Sequence, residues 1–500
     1  MSDKSEIATG QRFSSRLGLI LSALGIAVGT GNIWRFPRIA AQNGGEDGAG
    51  AFLFAWLIFL FVWSIPLIIA EYALGRKFRL GTIGVFKKAV GEKFAWMGTF
   101  VAFVSTAIAF FYTVVVGWCI YYFYLTLFHP LPSDSAEAMA VWDQFQGSNW
   151  PLFFHFIAVA FGALVVWKGI RTIEKVNKIL IPTLLFIVLL SVIRAVTLPG
   201  AFEGIKYLFT PDWAQLSRPK VWLAALTQNA WDTGAGWGLF LTYAVYMQSK
   251  FGVVKNAFIT GIGNNAVSII AAIMIFGTVF SVLNTELGMT NSETLEIMKT
   301  SGPASTGLTF IWMPQLFAKM PMGSALAVLF FMGLTFAGFS SIIAMFELPT
   351  RVLLDMGLSR SKAISLVVAV VYLFGIPSAK NLNFLSNQDY VWGIALMISG
   401  AFIAIAIMKL GVKQMTEELA TIQNDWKLGK WWIYEMKYII PLAAFILLFW
   451  WLFQSATVFA PEAWYNPLNP FSVMTCVLQW FVVLTLFIIF NRVIAQKIKA

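Results

Sequence analysis

Charge and cysteine are both scarce in this 500-residue chain. Only 12% of its residues are Asp, Glu, Lys or Arg, whereas soluble domains carry about 25%. Two cysteines, Cys119 and Cys476, cannot form a disulfide framework, and the two histidines, His129 and His155, lack the spacing of metal ligands. A surface so poor in charge excludes a soluble protein of this length. Neither histidine has a pair of acidic residues near it in the sequence, and this disfavours an intramembrane enzyme.

Long apolar runs stand where charge is missing, since 59% of the residues are hydrophobic and the mean hydropathy is +0.75. A helix that crosses a bilayer needs about 20 mostly apolar residues. We predict twelve such helices, numbered span 1 to span 12: Leu17–Ala40, Ala51–Ala70, Phe94–Phe128, Trp150–Trp167, Ile179–Ile193, Val221–Met247, Ala257–Leu283, Gly323–Phe346, Ala363–Pro377, Tyr390–Met408, Tyr438–Phe459 and Phe471–Phe490.

Lys and Arg are concentrated in alternate loops. The loops after spans 2, 4 and 10 are basic, whereas residues 129–149 and 457–470 contain neither Lys nor Arg. The positive-inside rule therefore predicts a multi-pass protein of a cell (inner or plasma) membrane with both termini in the cytoplasm. We expect no removable signal peptide, because no charged, apolar and cleavage regions open the chain. The basic cytoplasmic loops also explain the net charge of +11, so we expect no nucleic acid as a partner. The expected partners are the lipid bilayer and a small-molecule substrate. The oligomeric state stays open.

Spans 1 and 6 each contain three closely spaced glycines, which are Gly25, Gly29 and Gly31 in the first and Gly234, Gly236 and Gly238 in the second. Glycine also lets membrane helices pack closely, so either run alone indicates packing. Together, at corresponding positions of two five-helix halves and beside Asn32 and Asp232, they favour two broken helices at a binding site. Free amides and carbonyls at such breaks suit a zwitterionic amino acid with accompanying cations.

The predicted fold is an all-α polytopic membrane protein with a five-plus-five inverted repeat, broken helices 1 and 6, and two C-terminal helices. Its predicted parts are an N-terminal segment at 1–16, repeat 1 at 17–199, repeat 2 at 220–410, spans 11 and 12 at 436–492, and a tail at 493–500.

Ionisable residues within the spans are costly and need a partner or a function. Asp232 is either a buried acid satisfied by backbone amides or a cation ligand, and we favour the ligand. Glu71 is expected to hydrogen-bond frayed backbone rather than to lie at the interface. Arg35 and Asp389 are either snorkelling charges or a salt bridge that closes the site. Glu347 is expected to be structural.

The segment Gly25–Pro37, which ends in Gly-Asn-x-Trp-Arg-Phe-Pro, resembles the first helix of the neurotransmitter:sodium symporters. Asn43-Gly44-Gly45, Glu71, Tyr112 and the pair Ser340-Ser341 are similar to the same signature, and the resemblance covers nearly the whole chain. It implies the LeuT-type fold and a sodium-coupled importer of amino acids that works by alternating access, not an enzyme. The alternatives are a non-transporting amino acid sensor or a channel of the same fold.

The resemblance also implies site residues. One Na⁺ site would comprise Ala27, Asn32, Asp232 and Asn264, and a second would comprise Gly25, Val28, Ala337, Ser340 and Ser341. The substrate would contact Ala27, Thr30, Gly31, Ile108, Tyr112, Trp231, Gly234, Trp237, Ser341 and Met345. The outer gate would be Arg35 with Asp389 and the inner gate Arg12 with Asp355, while Glu71 and Gln228 would be structural at the unwound helices.

Departures from the family pattern refine these expectations. Gly29 stands where monoamine carriers have Asp, which favours amino acids over amines lacking a carboxylate. Trp56 and Asp232 replace a Tyr and a Ser that ring chloride in other members. Because Asp232 would supply the negative charge itself, we expect two Na⁺ ions and no chloride. The pocket around Gly234 and Met345 favours bulky apolar or aromatic amino acids.

Overall fold

The structure, a computed structural model, describes residues 12–299 and 307–499. The regular secondary structure of these residues is helical, apart from one isolated β-bridge between Ala49 and Pro211. The predicted segment 1–16 therefore lies largely outside the described residues, as does the last residue of the predicted tail. The all-α fold class predicted from the sequence is confirmed.

Nine helices of the described chain are long and apolar enough to cross a membrane. They correspond to spans 2 to 5 and 7 to 11 and comprise Gly50–Phe78, Glu92–Phe128, Trp150–Trp167, Ile170–Val196, Val254–Glu286, Gly323–Asp355, Arg360–Lys380, Leu382–Leu410 and Trp431–Phe459. Spans 5 and 9 are longer than predicted because their helices continue through polar first turns, where the backbone remains hydrogen-bonded beyond the apolar run. Shorter helices at the ends of the bundle are Thr82–Ala89, Ser135–Gln146, Ala201–Phe209, Asn291–Lys299, Met313–Ala318 and Val412–Ala420.

Span 1 is broken into Arg16–Ala27 and Thr30–Asn43, whose axes differ by 47°. Ser15 caps the first half, with its hydroxyl accepting from the Gly18 amide at 3.0 Å. Span 12 is also a bent pair, Val473–Ile489 and Asn491–Lys497, with an angle of 60°.

Span 6 consists of Pro219–Asp232 and Leu239–Ala244, joined by the non-helical residues 233–238. Gly234, Gly236 and Gly238 have φ values of 70°, 90° and 80°, which side chains with a Cβ rarely adopt. The glycine run therefore accounts for this break. In span 1 only Gly29 lies in the break, with a φ of −105° that any residue can adopt, and Gly25 and Gly31 are helical.

Spans 1, 3, 6 and 8 surround the two breaks, so these breaks lie in the interior of the bundle. Spans 11 and 12 lie outside it and expose apolar side chains such as Phe445, Phe449 and Phe481. The interior is thus the place where irregular backbone is protected from lipid.

Candidate functional site

Glu71 holds the interrupted part of span 6 in place. It lies fully buried on the continuous span 2. Its Oε1 accepts from the Gly236 amide at 2.7 Å and its Oε2 from the Leu241 amide at 3.1 Å. A carboxylate that accepts two main-chain bonds satisfies donors which the broken helix leaves free.

Two helix C-termini converge on Asn264 of span 7. One terminal atom of its side-chain amide lies 3.0 Å from the Ala27 main-chain oxygen, 3.1 Å from the Asp232 main-chain oxygen and 2.8 Å from Asn32 Nδ2. Ala27 and Asp232 are the last residues of the first halves of spans 1 and 6, so both carbonyls lie at negative dipole ends. We call these four residues the amide cluster.

The orientation of the Asn264 amide decides what this cluster can do. With its oxygen at the shared position, it accepts the Asn32 bond and forms a group of three oxygens with the two carbonyls, as a hard cation requires. With its nitrogen at the shared position, the Asn264 amide donates to both carbonyls, but this nitrogen then faces the Asn32 Nδ2 group, which is also a donor. Asn32 Oδ1 accepts from the Gly29 amide at 2.8 Å, which fixes Nδ2 toward Asn264 and favours the first orientation.

Asp232, whose main-chain oxygen belongs to the amide cluster, is 6% exposed. Its Oδ2 is 3.5 Å from Ser268 Oγ, and its Oδ1 has no hydrogen-bond partner in the described chain. The amide of Gln228, one turn earlier, and the indole nitrogen of Trp56 are also buried without a partner there. A buried carboxylate with an unused oxygen is available to a cation.

A second group of oxygens lies where spans 1 and 8 meet. Ser341 Oγ is 3.4 Å from the carbonyl oxygens of both Gly25 and Ala337, and Ser340 Oγ donates to the Ala337 carbonyl at 2.8 Å. We call these residues the serine cluster. Val28, the fifth residue expected here, directly follows Ala27 at the end of the first half of span 1.

Tyr112, on span 3, contacts the start of the second half of span 1. Its hydroxyl accepts from the Thr30 amide at 3.3 Å and from Thr30 Oγ1 at 3.2 Å. A Cβ on Gly29 would lie 3.1 Å from both this hydroxyl and Ser341 Oγ, whereas a Cβ on Gly31 would meet nothing within 4 Å. The space beside Gly31 is therefore open at the N-terminus of Thr30–Asn43, where the Thr30 amide is bonded to the Tyr112 hydroxyl. A helix N-terminus with room beside it suits a carboxylate.

Most of the side chains that the sequence predicts for the substrate pocket are aromatic or aliphatic. Trp231 and Trp237 form an edge-to-face pair with centroids 5.4 Å apart, while Ile108 and Met345 are buried on spans 3 and 8. A Cβ on Gly234 would lie 3.0 Å from Ile26, an apolar neighbour that the sequence did not indicate. This lining is apolar apart from the indole nitrogens.

The expected outer gate is not paired in this structure. The Arg35 guanidinium lies 4.8 Å from the centre of the Trp231 ring, in a cation–π contact. Among the described residues Arg35 forms no ion pair with Asp389, although Asp389 is within electrostatic range of Arg35 and Arg38.

The expected inner pair, Arg12 with Asp355, is not brought together either. Asp355 pairs with Arg351, four residues earlier on the same helix, at 2.5 Å, and accepts from the Gly81 amide at 2.6 Å. Arg12 lies instead near Arg79. Burial, together with the positive charges of Arg12 and Arg76, lowers the pKa of Arg79 to about 10.

Glu174, to which no role is assigned from the sequence, lies in the polar first turns of span 5. Its carboxylate accepts from the Ser14 amide and hydroxyl, both at 2.6 Å, and from the Ser15 amide at 3.2 Å. It thereby ties the N-terminal segment to span 5. The available signal was an acid within a basic stretch, but the predicted span began only at Ile179.

Glu347 also has more partners than expected. It forms an ion pair with Arg360 and accepts from the Tyr246 hydroxyl at 2.5 Å. These contacts join spans 6, 8 and 9, which agrees with a structural residue.

A model of the sodium:neurotransmitter symporter family matches residues 10–149 and 141–499. The chain is 31% identical over 449 residues to an uncharacterized sodium-dependent transporter of Methanocaldococcus jannaschii, covering 86% of this chain and 88% of that protein. It is 30% identical over 426 residues to the sodium-dependent neutral amino acid transporter B(0)AT3 of Mus musculus, covering 69% and 68%. Among solved structures, MhsT in complex with L-phenylalanine is similar, with a TM-score of 0.75, 29% identity and coverage of 88% and 99%.

Proposed function

Because the chain belongs to the sodium:neurotransmitter symporter family, we propose that it imports a zwitterionic amino acid together with Na⁺ by alternating access. Membership makes it a multi-pass, sodium-dependent membrane transporter and not an enzyme. The observation that carries the amino acid proposal is the meeting of two kinds of helix end in one interior space. Carbonyls converge on Asn264, while the N-terminal amides of the second half of span 1 begin at Thr30.

Two Na⁺ sites fit the two oxygen groups. The amide cluster would hold the first ion with Ala27, Asn32, Asp232 and Asn264. The serine cluster, completed by the Val28 carbonyl, would hold the second. Neutral carbonyl and hydroxyl oxygens are ligands of the kind that hard cations prefer, which supports this assignment.

The substrate carboxylate would bind the Thr30 and Gly31 amides and the Tyr112 hydroxyl, and would complete the coordination of the first Na⁺ at Ala27. Each ligand then raises the affinity of the other by the same factor. Its side chain would face Ile108 and the residues Trp231, Gly234, Trp237, Ser341 and Met345. The apolar side chains predicted for the pocket support an apolar or aromatic amino acid, as do the L-phenylalanine in complex with MhsT and the neutral amino acids for which the mouse relative is named.

We also propose that chloride is not required, because Asp232 places a negative charge beside the first cation. Two unit charges about 4 Å apart interact by roughly 4 kcal/mol at an effective dielectric constant near 20. The unused Asp232 Oδ1 and the polar atoms of Gln228 and Trp56 around it support this role.

Alternating access would use the two ends of the bundle. Arg35, now stacked on Trp231, would close the outer side with Asp389, and Tyr112 with Trp231 would cover the substrate. Asp355 would close the inner side with Arg351, a different partner from the Arg12 expected from the sequence. We place both termini in the cytoplasm of a cell membrane and the two repeats at 17–199 and 220–410.

The test is uptake of labelled phenylalanine, leucine and alanine by proteoliposomes with an inward Na⁺ gradient. We expect accumulation that stops when Na⁺ is equal on both sides and that persists when gluconate replaces chloride. Sodium-dependent binding without uptake would instead favour an amino acid sensor, and uptake down a gradient without accumulation would favour a channel.

A further inference from the structure

The short helix Asn491–Lys497, which follows the bend in span 12 and is called the bent helix below, packs against the first turn of span 3. Asn491 joins the two, because its Oδ1 accepts from the Trp96 amide at 2.8 Å and its Nδ2 donates to the Glu92 main-chain oxygen at 3.1 Å. Lys87 Nζ donates to a main-chain oxygen in the last turn of the bent helix at 2.8 Å. These bonds fix the position of the bent helix beside span 3.

A groove of about 630 Å³ lies between the bent helix and the residues that lead into span 3. Its lining residues are Val90, Gly91, Glu92, Lys93 and Phe94 on one side and Asn491, Arg492 and Gln496 on the other. A Cβ built on Gly91 would meet nothing within 4 Å, so there is room beside this backbone. The volume lies within the range of roughly 300–1,000 Å³ that is usual for small-molecule sites.

Two cations of the groove have no protein partner. Lys93 and Arg492 are exposed and line it from opposite sides, and neither forms a hydrogen bond or an ion pair in the described chain. Glu92 is the one acid of the lining, so the two basic residues outweigh it. Lys88 and Lys497, close by in the chain and exposed, add positive charge. The groove therefore suits an anion, and a phosphate group is the anion that Lys and Arg bind together most readily.

Exposed apolar side chains adjoin these charges. Phe94 lines the groove, while Phe490 and Val493 lie next to it on the bent helix and just before it, and all three are about half exposed. Span 3 begins here and span 12 ends here, so the groove lies where helices leave the bilayer. A phospholipid has a phosphate for the basic residues and acyl chains for the apolar ones. A soluble phosphate compound would leave the apolar side chains uncovered.

We propose that this groove binds the phosphate of an anionic phospholipid from the cytoplasmic leaflet, with the acyl chains against Phe94 and Phe490. Basic pockets at the cytoplasmic ends of membrane-spanning helices are suited to such headgroups. The choice of leaflet rests on the proposed topology, in which the loop after span 2 and the C-terminus are cytoplasmic. Binding of the lipid does not require transport, so it is tested separately from the proposed function.

The test is native mass spectrometry of the full-length protein in a nonionic detergent, titrated with phosphatidylglycerol or with phosphatidylcholine of the same acyl chains. We expect the wild type to bind its first phosphatidylglycerol at least tenfold more tightly than phosphatidylcholine. Lys93→Gln combined with Arg492→Gln should lower the affinity for phosphatidylglycerol at least tenfold, because both charges that face the phosphate are lost. The affinity for phosphatidylcholine should stay within threefold. Both side chains are exposed, so the fold should not change.

The matched control is Lys427→Gln combined with Lys430→Gln, which removes the same charge from exposed positions in the loop after span 10. Its affinity for phosphatidylglycerol should stay within twofold of the wild type. Lys93→Arg combined with Arg492→Lys keeps both charges and should stay within threefold. Glu92→Gln removes the opposing charge and should raise the affinity several-fold.

Wild-type affinity for phosphatidylglycerol in the variant that lacks Lys93 and Arg492 would overturn the site. An equal loss in the Lys427 and Lys430 control would also overturn it, because net charge alone would then govern binding. Glycerol phosphate at the same concentration as the lipid should not displace it. Displacement would assign the groove to a soluble phosphate compound and would contradict the lipid proposal.

Discussion

The side-chain amide of Asn264 lies 3.0 Å from the main-chain oxygen of Ala27, the last helical residue before the break in span 1. Asp232 brings a second helix-terminal carbonyl to the same amide, from span 6. One side chain on a continuous helix thus meets both broken helices. A cation held here would join the two repeats and the substrate through a single set of oxygens.

The two glycines around the break in span 1 should respond differently to alanine. Gly29→Ala places a Cβ 3.1 Å from Tyr112 and Ser341 oxygens, so these side chains must shift by a few tenths of an ångström. We expect at least a tenfold loss of amino acid affinity and a lower melting temperature. Gly31→Ala meets open space, and its melting temperature should equal that of the wild type. Equal thermal stabilities for both variants would contradict this.

Removing the charge of Glu71 should destabilise the protein. In Glu71→Gln the side-chain amine faces a main-chain amide of span 6, so one buried donor loses its acceptor at a cost of about 1–3 kcal/mol. Thermal unfolding in detergent should begin at a lower temperature than in the wild type. The exposed Glu462→Gln serves as the control and should show no change. A wild-type melting curve for Glu71→Gln would refute the bracing role.

Asp232→Asn should expose the proposed role of the carboxylate. Loss of the negative charge should raise the Na⁺ concentration for half-maximal amino acid binding at least tenfold, since one pair of charges at about 4 Å amounts to several kcal/mol. Asp232→Ser should in addition make binding depend on chloride. The measurement is amino acid binding against Na⁺, with chloride or gluconate. A chloride requirement in the wild type would contradict the proposal.

The inner-side arginines provide a matched pair. Arg351→Gln removes the partner of the buried Asp355, whereas Arg12→Gln removes a side chain without a hydrogen bond or ion pair in the described chain. We therefore expect Arg351→Gln to lower the rate of net uptake several-fold, with Arg12→Gln within twofold of the wild type. A larger loss of net uptake in Arg12→Gln than in Arg351→Gln would contradict this and would favour Arg12 as the partner of Asp355.

The sequence was most informative where local chemistry decides the structure. The apolar runs predicted the spans, and the glycines of span 6 predicted a break that the structure confirms with three left-handed glycines. The partners of charged side chains could not be predicted from the sequence. Asp355 pairs with a residue four positions earlier on its own helix, and Arg35 stacks on Trp231, because such contacts depend on how helices rotate against each other.

The ends of helices were also difficult to predict from the sequence. Spans 5 and 9 were predicted from their apolar cores alone, so Glu174 and Arg360 were treated as loop residues although both lie in helices. Their contacts with the N-terminal segment and with Glu347 become visible only when the polar turns are seen packed against the bundle.

The most direct test of the account measures linkage between the two ligands in the purified wild-type protein. The affinity for phenylalanine is determined at low and at saturating Na⁺, and the affinity for Na⁺ is determined with and without phenylalanine. Because the substrate carboxylate would complete the first Na⁺ site, both affinities should rise, and by the same factor. Affinities for phenylalanine and Na⁺ that do not depend on each other would contradict the shared site.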